Sequence, residues 1–388
     1  MRNLGFGISD CRLVACGLAG RSRSVCAPHA KPQAAGSSNP KSQIPNPQSR
    51  RCGVTLVELL ITIAIIAILA TAILGVAAVA TTTAREARTR NTITRLHTLL
   101  TEHYDTYRVR RVKLNRNLEA DINNRFANNP RQRGEALAQA RLYALRELML
   151  MEMPNGWAEV VLGDPQNVSV GAAWTAPLYY AERPGLSSLY RRNFERLLGT
   201  ATPAEISQNE AAECLYLTIM YACGDGESRA QFSENDIGDS DGDGAAEFLD
   251  AWGKPIVFIR WAPGFESDAQ LNPYQFANSE EWIAAAAIDH DPFDLFRRDR
   301  FAFRLVPLIM SAGNDELYGM DARQWVVYGT GVTPANPNSP PYTYFTPPIS
   351  PYEKGSLPFF AGTQINSSGQ RDPADATDNI HNHLIGTR

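Results

Sequence analysis

From Leu59 to Ala80 the chain runs for 22 residues without a charged side chain, LLITIAIIAILATAILGVAAVA. As a helix rising 1.5 Å per residue this run covers about 33 Å, enough to cross the hydrocarbon of a bilayer. Its apolar residues occupy every face, which argues against the core helix of a soluble protein. The helix does not stop at Ala80. Ile93, Leu96, Leu100 and Tyr107 continue an apolar line at spacings of three, four and seven, among the polar Arg85, Arg88, Arg90, Arg95 and Glu102. The pattern predicts one long helix, apolar all round over 54–80 and amphipathic over 81–110.

Composition changes at Gly53. Residues 1–53 carry eight Lys/Arg against one acid, Asp10, and the rest of the chain holds 29 bases against 40 acids, a formal −11. The first fifty residues are rich in Ser, Pro, Gly, Ala and Arg without periodicity, the composition of a disordered segment. Leu13-Val14-Ala15-Cys16 has the form of a lipobox, but Asp10 and Arg12 interrupt the apolar core a signal requires. Four of six cysteines precede Gly53, so the body, with Cys214 and Cys223, is not a disulfide scaffold. An acidic body offers nucleic acid no general footprint. The basic stretch from Arg85 to Lys113 reads as the solvated face of a helix near anionic lipid.

Further along, Leu137, Ala140, Ala144, Leu148 and Met151 form a helical stripe ended by Pro154-Asn155-Gly156. A second helix starts at Thr202-Pro203-Ala204-Glu205, which has capping-box spacing, and is expected to run to about Ala222. After Gly224 the character turns to strands at 255–261, 301–310 and 325–328. From about Thr333 onward, Pro, Asn, Ser and Thr predict a tail that is disordered or laid over the surface. The fold class is α+β: a long N-terminal helix, a largely helical insert over 111–225, a β-rich head over 226–332 with an antiparallel sheet, and a tail over 333–388.

The junction Gly53-Val54-Thr55-Leu56-Val57-Glu58-Leu59-Leu60, between Arg50-Arg51 and the apolar run, resembles the type IV pilin and type II secretion pseudopilin family. Precursors of that family carry glycine, usually phenylalanine, then TLIE or a close variant. The resemblance implies a 1–53 leader that the membrane aspartyl protease prepilin peptidase removes after Gly53, with Val54 then methylated; valine there departs from the usual phenylalanine. It also implies that Glu58 meets the cationic amino terminus of a neighbouring subunit, which offsets the cost of a carboxylate in hydrocarbon. Gly53 suits a protease cleft because its backbone is unhindered. The plainer reading of Glu58 is a side chain at the headgroup boundary.

Between Asp225 and Asp250 stand nine acids and one base, Arg229. Asp239, Asp241, Asp243, Glu247 and Asp250 fall at positions 1, 3, 5, 9 and 12 of an EF-hand-like spacing, with Gly244 at position 6. Two readings stand: a calcium loop without the EF-hand helices, or a solvated acidic turn. Asp250-Ala251-Trp252-Gly253-Lys254-Pro255 is similar to the D-x-W-G-x-P stretch of the major pseudopilin. Ser311-Ala312-Gly313-Asn314-Asp315-Glu316 resembles its calcium-binding S-x-G-x-D-G loop, with Glu316 in place of glycine, so Asp315 and Asp321 are secondary calcium candidates. Cys214 and Cys223 could pair only if the helix between them broke near Tyr221. Asp289-His290-Asp291 and His381-Asn382-His383 read as surface residues. No P-loop, H-E-x-x-H, G-x-S-x-G or C-x-x-C motif occurs, and nothing argues for catalysis.

Two functions follow. In the first, a structural subunit sits in the inner membrane as a single-pass protein with its head in the periplasm. Prepilin peptidase processes it, and it joins other pilin or pseudopilin subunits through the inner-membrane assembly platform. In the second, a membrane-anchored, calcium-stabilised binding domain never polymerises.

Overall fold

The computed structural model describes residues 55–160, 180–223, 228–320, 350–352, 359–366, 368–372, 376 and 378–384. Gly53, Val54, Asp321 and the strand expected at 325–328 lie outside the described residues. The chain divides into two units, Met1–Ala64 and Ile65–Arg388.

Helix α1 spans Leu56–Thr106. In the first unit the described side chains are all exposed, and in the second the large apolar side chains from Ile65 to Val79 are exposed as well. Among the described residues α1 is the one helix long and apolar enough to cross a membrane. The amphipathic half follows its spacing: Thr89, Thr92, Ile93, Leu96, Leu100, Tyr104 and Tyr107 are all buried, at steps of three and four or one turn apart. Tyr104 meets Phe293 edge-on at 4.9 Å. The Tyr107 hydroxyl donates to Glu152 at 2.7 Å, and Arg110 clasps the same carboxylate.

Four helices follow: α2 (Arg116–Arg125), α3 (Pro130–Glu152), α4 (Trp157–Val160) and α5 (Gly185–Leu198). Pro130 opens α3 at its first position while the Asn129 side chain caps Gln132 N. Ala140, Ala144, Leu148 and Met151 are buried as their spacing predicts, with Leu137 packed at the edge. The helix expected from Thr202 to Ala222 is broken. Its capping box forms between Thr202 and Glu205, but α6 (Pro203–Ile206) stops at once, and α7 (Glu210–Leu217) starts afresh and runs into a π-helical turn over Thr218–Ala222. The break follows from how its residues are used: the Asn209 amide turns to Ser240, Asp241 and Glu247, and Glu210 accepts from Trp157 N at 3.1 Å.

Helix α7 is packed on several sides at once: Ala211, Ala212, Cys214, Leu215 and Leu217 are buried, and so is the carboxylate of Glu213. Leu215 faces the main core with Ile93, Leu96, Leu148, Phe258 and Phe303. Cys214 and Leu217 face a second cluster with Trp157, Tyr190, Phe194 and Leu197, and Ala211 faces a third with Val257, Ile259 and Leu308.

Helix α8 (Ser279–Ile288) and, among the described residues, two small antiparallel sheets follow. β1 (Ile237–Gly238) pairs with β2 (Glu247–Phe248). A second sheet has the order β3 (Val257–Ile259), β4 (Leu308–Ser311), β5 (Ile380–His381). Its side chains alternate between two buried faces: Val257, Ile259, Leu308 and Met310 on one, Phe258, Ile309 and Ile380 on the other. The head is less β-rich than its sequence suggests, because 301–307 is not a strand; Phe303 makes one isolated bridge to His290. The tail departs from expectation further. It supplies β5, and Asn382 extends the pairing with its side chain, accepting from Ile309 N at 2.8 Å and donating to Pro307 O at 2.8 Å. The two histidine-containing segments also reach the interior, since Asp291, Asn382 and His383 are buried, while Asp289 stays partly exposed. Asp291 lies 3.6 Å from the buried Arg146, which also pairs with Asp299 at 3.1 Å.

Among the described residues, the most deeply buried ion pair joins the end of β3 to α4. Arg260, directly after β3, and Glu159 of α4 are both 0% exposed and join through two bonds of 2.8 and 2.9 Å. Glu159 also accepts from Asn155 N at 2.7 Å, Asn155 Oδ1 accepts from Arg260 N at 2.8 Å, and Arg260 donates to Met153 O. Removing one partner of such a pair leaves an uncompensated buried charge. Glu159→Gln is therefore expected to destabilise the fold by about 3–5 kcal/mol, read as a shifted denaturation midpoint in detergent.

His383 is buried against Val306 and Ser267, with Nδ1 2.7 Å from the Ser267 hydroxyl. Burial, with His381 and His97 nearby, pushes its pKa down to about 3. Its folded pKa lies below the unfolded one, so the unfolded chain takes up the proton first. Stability held at neutral pH is then lost as pH falls from about 6.5 toward about 3. In thermal melts across that window His383→Gln, neutral throughout, is expected to lose less stability on acidification than wild type.

Candidate functional site

The first described residues form a capping box. Thr55 N and Thr55 Oγ1 donate to Glu58 Oε2 at 2.8 and 3.1 Å, and Glu58 N donates back to Thr55 Oγ1 at 3.2 Å. Glu58 thus sits at the positive end of the α1 dipole and satisfies a backbone donor that the helix leaves orphaned. Deeper in the apolar run, Thr62 and Thr71 return their hydroxyls to the carbonyls of Leu59 and Ile68 at 2.8 and 2.9 Å. No polar hydrogen of these threonines is left for hydrocarbon to face. The T-x-x-E spacing at Thr55 is the signal used to place the box at Thr202, and it applies equally at the membrane entry.

The acidic loop is closed at its base by the Gly238–Glu247 pairing. Asp239 accepts from Gly242 N at 2.7 Å and Gly244 N at 3.0 Å. Both glycines have positive φ, 81° and 95°, a conformation that bears no side chain easily. Glu247 takes Ser240 N at 2.9 Å and Asn209 Nδ2 at 3.0 Å. Asp241 also accepts from Asn209 Nδ2, at 3.1 Å, and Asp243 Oδ1 accepts from Ala245 N at 2.6 Å.

Asp250 is engaged elsewhere. Its Oδ1 accepts from Trp252 N at 2.8 Å and Lys254 N at 2.9 Å, and its Oδ2 from the Ser311 hydroxyl at 2.7 Å. The D-x-W-G-x-P turn and the S-x-G-x-D loop are therefore tied to each other through one carboxylate. Asp315 accepts from Leu317 N at 2.8 Å, and Asp378 of the tail holds Asn314 N and Asp315 N at 3.1 and 3.0 Å. Glu316, at the position the family gives to glycine, has φ 63°. The site keeps the backbone conformation of a glycine while its side chain pairs with Lys254 at 2.8 Å.

A residue the sequence reading passed over stands beside the loop. Glu213 of α7, Asp241 and Asp243 bring one carboxylate oxygen each within 4.8 Å of one another. Trp157 Nε1 donates to Glu213 Oε2, fixing its orientation. Burial, with Asp243 next to it, pushes Glu213 up to about 9, and burial pushes Glu247 up to about 7. Asp241 and Asp243 are raised by burial as well. No spacing rule links Glu213 to the loop; only the tertiary packing of α7 does. Cys214 and Cys223 are free thiols, and burial pushes Cys223 up to about 12.

Residues 48–80 match the family model described as the prokaryotic N-terminal methylation motif. No curated protein and no solved structure matches the chain. A basic approach, the Thr55–Glu58 box and a charge-free exposed helix fall within or adjoin that match. Residues 48–80 thus carry the N-terminal methylation motif that is the hallmark of type IV pilin and pseudopilin precursors.

Proposed function

We propose that the chain is a structural subunit, minor or specialised, of a type II secretion or type IV pilus-like filament. Prepilin peptidase cuts it between Gly53 and Val54 and methylates Val54. The mature protein waits in the inner membrane with its head in the periplasm, then enters the filament through contacts with other pilin-like subunits and the assembly platform. The observation that carries this reading is the methylation motif set directly on a helix whose apolar side chains are exposed on every face. In lipid those faces are solvated by acyl chains; in a filament they pack against neighbouring helices. Glu58 serves both states, as the partner of Thr55 within its own chain and as the partner of a neighbour's amino terminus.

Intact mass and amino-terminal sequencing of protein from native membranes are expected to give a chain starting at Val54 with one added methyl; a chain retaining Gly53 would sink the proposal. Glu58→Ala is expected to be processed normally yet to enter filaments about tenfold less, the effect of losing roughly 1.4 kcal/mol. Thr55→Ala removes the cap and keeps the carboxylate, so incorporation should survive it. Equal loss in both variants would reduce Glu58 to a capping residue. Indifference of incorporation to Glu58→Ala, or absence of filaments altogether, would favour the membrane-anchored binding domain.

A further inference from the structure

The acidic loop and helix α7 meet in an arrangement that hydrogen bonding alone leaves unfinished. Glu213 and Asp243 are 1% and 4% exposed, and Glu213 Oε1 and Asp243 Oδ2 are buried without a hydrogen-bond partner. Both residues belong to the trio that brings one carboxylate oxygen each within 4.8 Å of one another, the third being Asp241. Carboxylates held this close repel, and a donor or a cation between them removes the repulsion. A single shared proton serves one pair; a metal ion serves all three groups.

We propose that Glu213, Asp241 and Asp243 bind one calcium ion between α7 and the acidic loop. The donors are all hard oxygens, which selects a hard cation over zinc or copper. They come from a helix and a glycine-containing turn, an irregular set that suits the six to eight ligands of calcium better than the strict octahedron of magnesium. The groups are already oriented: Trp157 holds Glu213, Asn209 holds Asp241, and Ala245 N holds Asp243. Ala245 itself packs in the cluster of Trp157, Phe194 and Leu197, which anchors the turn against α7. Arg196 bonds the Gly244 carbonyl at 3.1 Å and supplies the nearby positive charge.

This site differs from the twelve-residue spacing read from the sequence. Asp250, the twelfth residue, is committed to Trp252, Lys254 and Ser311, and both oxygens of Glu247 are taken by Ser240 and Asn209. The proposal is independent of filament assembly, because it concerns a site in the Ile65–Arg388 unit alone.

The test uses the full-length protein in detergent, stripped with EGTA and titrated with calcium chloride, with magnesium chloride in parallel. Wild type is expected to bind calcium and melt at a higher temperature with it. Glu213→Gln, which keeps an acceptor for Trp157, should weaken binding about tenfold or more, while Asp250→Asn should leave it within about twofold. Terbium in place of calcium gives a second readout that does not depend on Glu213→Gln folding. Trp157→Phe should remove most of the tryptophan-sensitised emission and Trp252→Phe little of it. No calcium binding by wild type, equal affinity for magnesium, full affinity in Glu213→Gln, or emission lost with Trp252→Phe instead would each overturn the proposal.

Discussion

The Arg260–Glu159 pair sets the frame for the head. Both groups are withdrawn from water, and such a pair is the more stable the more of its remaining donors and acceptors are also met. Here the turn at Pro154-Asn155-Gly156 supplies most of them: Met153 O accepts from the guanidinium, Asn155 N donates to Glu159, Asn155 Oδ1 accepts from Arg260 N, and the Trp261 ring lies 4.2 Å from the guanidinium, whose Nε is buried without a hydrogen-bond partner. The turn that ends α3 is thereby fixed to the end of β3. Trp157 follows that turn directly, so its indole is carried between α5 and α7, where it packs against Phe194 of the one and holds Glu213 of the other. The chemistry of the acidic loop depends on an ion pair that contains none of its residues.

Much of this was legible in the sequence, for identifiable reasons. The α1 stripe at Ile93, Leu96, Leu100 and Tyr107 could be read because a half-buried helix imposes a period on a long segment. The α3 stripe and the Thr202 capping box were readable on the same terms. Helix α7 was harder. A short segment packed on several sides has no clear period, so its start at Glu210 and its separation from α6 were hidden. β5 was hidden too, since two residues cannot alternate visibly and Asn382 does part of its pairing through a side chain. The buried His383 and Asp291 looked like loop residues because their partners, Val306 and Arg146, are remote in sequence.

The acidic loop shows the same division between local and tertiary information. Alternating Asp and Gly announced a turn that gathers oxygens, and Asp239, Gly242 and Gly244 behave accordingly. What spacing could not specify is which carboxylates end up with free lone pairs. That depends on competition: backbone N–H groups and hydroxyls claim Asp250 and Glu247, while α7 presses Glu213 toward Asp243. At the membrane entry the local signal was complete, because the Thr55–Glu58 box needs nothing beyond four consecutive residues.

The strand order β3-β4-β5 has a kinetic side. Ile309 and Asn382, which meet at the centre of the sheet, are 73 residues apart in sequence. Closing so long a loop costs entropy before any pairing repays it, so contacts of this kind form slowly. Until they form, β4 presents an open edge with unpaired backbone groups and apolar flanks at Ile309 and Met310, the surface on which chains aggregate. A protein tethered to a membrane by α1 meets its neighbours at high local density. Its head is therefore exposed to mispairing for as long as residues near 380 have yet to arrive, a window in which a folding helper or a protease would find it.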